Sequence, residues 1–115
     1  MTKHQERILA LADLVREADG WTTYSAIGEV VYAPGNSGQT VGTTMRRYGK
    51  VTSAHRVLEV GGGVAKDWVG VGGGREECIA RLREEGIWDA SRDGARLDRE
   101  IDAAGLRRLE AKVAR

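Results

Sequence analysis

The chain predicts a mainly α-helical domain with a small β-hairpin, ordered as a winged helix-turn-helix, and three observations predict it. Apolar residues recur at helical spacing in several segments, each bounded by a stop signal. Two short helical segments are joined by Ala33-Pro34-Gly35-Asn36, and the second ends in Arg46-Arg47. Two β-prone runs follow, split by Gly61-Gly62-Gly63.

The first helix is expected over about Thr2 to Ala18, with Ile8, Leu11, Leu14 and Val15 on one face and Asp19-Gly20 ending it. Thr22 and Thr23 are candidate N-caps for a short second helix reaching about Tyr32, with Ile27, Val30 and Val31 as its apolar side. The third helix runs from about Ser37 to Tyr48 and turns Val41, Thr44 and Met45 inward. Val57 to Val60 and Val64 to Val71 then form the hairpin, with the glycines supplying positive φ angles at its turn. A fourth helix spans about Arg75 to Glu85, packs Ile79 and Leu82 inward and stops at Gly86. After the polar loop 89–94, Leu97, Ile101, Leu106, Leu109 and Val113 mark a last helix that Gly105 should kink. Residues 1–86 are thus expected to form the winged-helix domain, and 87–115 a helical extension packed on it.

Length and composition suit one ordinary globular domain: 115 residues, 41% hydrophobic and 30% charged. No apolar run reaches transmembrane length, and a single Cys cannot form an internal disulfide, so a reducing cytoplasm is the expected compartment. Two His and one Cys, far apart, give no metal-ligand spacing, and no cofactor motif is present. Net charge is only +1, yet no carboxylate lies between Glu29 and Glu59, while Arg46, Arg47, Lys50 and Arg56 do. Such a block is the footprint of a phosphate-binding face or, alternatively, a solvated basic surface.

Several ordered blocks resemble one family. Trp21-Thr22-Thr23-Tyr24-Ser25-Ala26-Ile27-Gly28, Val41-Gly42-Thr43-Thr44-Met45-Arg46, His55-Arg56-Val57-Leu58 and Glu84-Glu85-Gly86 occur in order. They are similar to the motifs of the O6-alkylguanine-DNA alkyltransferases. Ser53-Ala54-His55-Arg56-Val57 resembles their Pro-Cys-His-Arg-Val signature with Ala54 at the position of the nucleophile. The closer likeness is therefore to the non-catalytic alkyltransferase-like proteins, which carry another residue in place of that Cys.

The resemblance implies a fold like the alkyltransferase DNA-binding domain, and a monomer that binds double-stranded DNA with its third helix in the minor groove. It implies that an O6-alkylguanine is flipped out and flagged for nucleotide excision repair proteins. The DNA-binding residues would be Tyr24, Ser37, Gln39, Thr40, Thr43, Arg46, Arg47, Lys50 and Arg56, and Tyr24, Ser53, Ala54, His55, Val57 and Trp68 would line the lesion pocket. Tyr24 would press the target phosphate, since extracting a base costs a few kcal/mol. Gln39 stands where the family places an intercalating Arg, and Arg47-Tyr48-Gly49-Lys50 where it has Asn-Pro.

No alkyl transfer to Ala54 is chemically possible, because a methyl group is not a nucleophile. His55 and Glu85 match the family's relay, which without a thiol reads as a buried His held in one tautomer. Cys78 sits beside Ile79 and one turn before Leu82, and reads as core. Three other readings stay open: a winged-helix regulator without lesion recognition, a catalyst using His55 and Glu85, and a protein-interaction module.

Overall fold

The computed structural model describes residues 1–32, 37–48, 53–70 and 73–114. The turn expected at 33–36 lies outside them, as do Lys50 and part of the second glycine cluster. Among the described residues five helices dominate: α1 (Lys3–Glu17), α2 (Tyr24–Val31), α3 (Ser37–Arg47), α4 (Arg75–Glu84) and α5 (Ala103–Val113). Four two-residue strands accompany them: β1 (Thr22–Thr23), β2 (Val57–Leu58), β3 (Trp88–Asp89) and β4 (Gly94–Ala95).

The helix ends follow local chemistry. Thr2 and Gln5 form a capping box on α1, each side chain bonding the other's backbone N–H. Thr23 caps α2 by accepting from Ala26 N at 3.0 Å. At the end of α1 the left-handed conformation falls on Asp19 (φ 58°) rather than on Gly20. Gly20 is needed for space. A Cβ there would lie 2.7 Å from Ile101 Cδ1 and 2.8 Å from Arg99 O.

One core joins all five helices. Ile8, Leu11 and Val15 of α1 meet Ile27, Val41, Met45, Leu82 and Leu106 around Trp21, which has no exposed surface. Leu14 and Ile79, expected on the inner faces, pack only part-buried at its edge.

Among the described residues the expected wing is not seen. β2 pairs in parallel with β1, Thr22 opposite Val57 and Thr23 opposite Leu58. Within 64–70 no strand pairs back on 57–60. Gly61 and Gly62 do adopt positive φ, but the turn they make docks elsewhere. Ala95 N donates to Gly62 O at 2.9 Å and the Arg92 guanidinium to Gly61 O at 2.9 Å. The following run spends Val64 and Trp68 on the core instead of on a sheet face. The antiparallel hairpin lies further on, where β3 and β4 pair across the polar loop.

The C-terminal pattern is also shorter than the spacing suggests. α5 begins at Ala103, capped by Asp102 accepting from Gly105 N at 2.8 Å, while Leu97 and Val113 are exposed. Gly105 causes no break, because it sits in the first turn where Ile101 packs too close for a Cβ. This segment is stitched into the main body: Trp21 N donates to Arg99 O, Ile101 N to Trp21 O, and Thr22 Oγ1 to Ile101 O.

Candidate functional site

The β1–β2 pair sets the site. β1 leads directly into Tyr24, the first residue of α2, and β2 follows directly on the 3-10 turn Ala54–Arg56. Their parallel register brings two distant stretches of chain side by side. Against α2 lies α3, seated by glycines one turn apart. A Cβ at Gly38 would stand 3.3 Å from Ser25 Cα, and one at Gly42 would touch the Tyr24 ring at 3.9 Å. Gln39, Thr40, Thr43, Arg46 and Arg47 therefore face outward and are exposed.

Tyr24 is half-buried at the lip of an open cleft of about 430 Å³. Gln39, Gly42 and Arg46 form one wall, and Glu59, Val60, Ala65 and Asp67 the other. Burial foremost, then neighbouring negative charge including Glu59, pushes the Tyr24 phenol up to about 12, so it stays a neutral donor. Arg46 reaches across to Asp67, with Nη1 3.6 Å from Oδ2. The Arg47 guanidinium lies 5.8 Å from the Tyr48 ring centroid.

A second cluster sits beneath this surface. Glu85, just past α4, gathers His55 Nε2 at 2.7 Å, Arg56 Nη2 at 2.6 Å and Arg56 Nε at 2.9 Å on Oε1. Arg56 Nη1 donates to Gly20 O at 2.8 Å, and Arg16 lies 3.7 Å from the second carboxylate oxygen. Burial lowers the His55 pKa more than Glu85 raises it, leaving a neutral imidazole that donates from Nε2. On Glu85 burial pushes upward, but hydrogen bonds from His55 and Arg56 together win and hold the carboxyl below its usual range.

Two sequence-based assignments change here. Arg56, expected on the DNA-binding face, is buried, and its three side-chain nitrogens donate to Glu85 and to Gly20 O. Ser53, Ala54, His55, Val57 and Trp68 are likewise buried and do not line the open cleft, which takes only Tyr24 from the expected lesion pocket. The cause is tertiary, since Glu85 and Gly20 draw the 53–58 segment inward. Lys50 and the Ser37 side chain lie outside the described residues. Cys78 is fully buried and its thiol is pushed up to about 12 by burial, so it has no thiolate to offer.

Glu59, Val60 and Asp67 were not legible as site residues. Nothing in the linear sequence indicates that the carboxylates following the basic block fold back beside it. Among the described residues no helix is long and apolar enough to cross a membrane, and no His, Cys, Asp and Glu group gathers as a metal would require. Compared with protein-family models, curated proteins and solved structures, the chain matches none.

Proposed function

We propose that this protein binds duplex DNA without catalysis, presents α3 to the minor groove and senses guanine alkylated at O6. The observation that carries the reading is the outer face of α3. Gln39, Thr40, Thr43, Arg46 and Arg47 form an exposed polar surface with no carboxylate of its own, and Tyr24 lies beside it. Arg and Lys supply phosphate affinity, while Gln, Thr and Tyr hydroxyls and amides position the backbone. Tyr24 keeps its proton and so can donate to a phosphate oxygen or to an extruded base. The extrahelical guanine would occupy the cleft, its alkyl group against Val60 and Ala65.

The absence of chemistry in this reading rests on Ala54 and on the surroundings of His55. The imidazole is buried, and its donating nitrogen is already committed to Glu85. The bound lesion would then be handed on to excision repair proteins. A second reading, duplex binding without lesion recognition, is favoured by the burial of Ala54 and by the carboxylates lining the cleft.

Binding to two identical duplexes, one with guanine and one with O6-methylguanine, across a salt series separates the readings. Tighter binding to the methylated duplex at every salt supports lesion sensing. Equal affinity with a steep salt slope leaves general DNA binding, and no binding at low salt refutes both.

A further inference from the structure

The only acidic side chain paired to the exposed face of α3 comes from the opposite wall of the cleft, among the described residues. Asp67 Oδ2 stands 3.6 Å from Arg46 Nη1, with the two side chains 73% and 51% exposed. Asp67 is held there by its own segment. Trp68 is buried in the core, and its backbone N–H bonds Ala65 O at 3.1 Å, so the Lys66-Asp67 turn projects at the cleft mouth.

We propose that Asp67 is an intramolecular competitor for the phosphate that Arg46 would hold, an ion pair that spans the mouth of the cleft beside Tyr24 until DNA displaces it. The inference rests on the DNA-binding reading above. A phosphate approaching Arg46 meets a carboxylate already in place, and Asp67 must swing away or stay as a like charge beside the phosphate. Its exposure makes that movement possible at small cost, since surface ion pairs are individually weak. The consequence is selectivity. Ordinary duplex gains little from Arg46, whereas a ligand that also fills the cleft displaces Asp67 and recovers the whole Arg46 contact.

The test is a double-mutant cycle on duplex affinity at low salt, using Asp67→Asn, Arg46→Ala and the pair. Both side chains are exposed, so folding should survive. Asp67→Asn is expected to tighten ordinary duplex binding by about threefold, in line with the strength of exposed ion pairs. Less than half of that gain should remain when Arg46 is Ala. Glu59→Gln serves as the control, because Glu59 lines the cleft but pairs with no cation among the described residues. Its effect should be the same with or without Arg46. An Asp67→Asn effect that is absent, or equal in both Arg46 backgrounds, overturns the competitor role while leaving DNA binding intact. If neither wild type nor Asp67→Asn binds duplex, the DNA reading falls and the competitor falls with it.

Discussion

Replacing Glu85 with Gln removes one charge and almost no volume from the hub that holds the 53–58 segment in place. Arg56 then keeps its guanidinium only 4% exposed, with Gly20 O and an amide oxygen as partners instead of a carboxylate. Breaking a buried ion pair from one side costs about 3–5 kcal/mol. Glu85 is itself 23% exposed and Arg16 stands nearby, so the low end, about 3 kcal/mol, is expected. For a domain of this size that corresponds to a fall in melting temperature of about 12 °C. Thermal and urea unfolding followed by circular dichroism measures it directly.

The same substitution should change the acid limb of stability. The folded pKa values of His55 and Glu85 are both depressed, so the unfolded chain binds more protons at low pH. Their contribution is present above the unfolded values and is lost as pH falls, for His55 from about 6.5 downward and for Glu85 from about 4.3 downward. Glu85→Gln should remove the second part of that loss. A variant within about 0.5 kcal/mol of wild type, with an unchanged acid limb, would refute the role given to this cluster.

Gly20→Ala should destabilise by about 1–3 kcal/mol, because the added methyl meets the Arg99 carbonyl, which is held by its bond from Trp21 N, and forces the Ile101 side chain aside; denaturant unfolding checks this. Cys78 should resist a thiol reagent at pH 8 in native protein and react at once in denaturant, at a rate tracking unfolding. Arg47→Ala should lower the salt slope of duplex binding by about one without moving the melting temperature. Arg56→Ala should lower the melting temperature before it affects any phosphate contact, and a reduced slope in a fully stable Arg56→Ala protein would restore Arg56 to the DNA face.

The sequence by itself determined the helical framework, because that information is local. The Thr23 cap, the stop at Asp19-Gly20 and the inward spacing of Val41, Thr44 and Met45 act within a few residues of one another. It also determined that Ala54 cannot be a nucleophile, whereas the pairing of His55 with Glu85, which lie 2.7 Å apart, was expected only from the family resemblance. Only the tertiary structure decided what depends on distant segments meeting. The two β-prone runs looked like a hairpin because alternation and glycines define a strand but not its partner, and β2 found β1 instead. Arg56 looked like a phosphate ligand because the carboxylate that neutralises it comes 29 residues later. Asp67, beyond the basic block in the chain, lies against it in space. Charge acts through distance, and distance between residues far apart in the chain is fixed only by the fold.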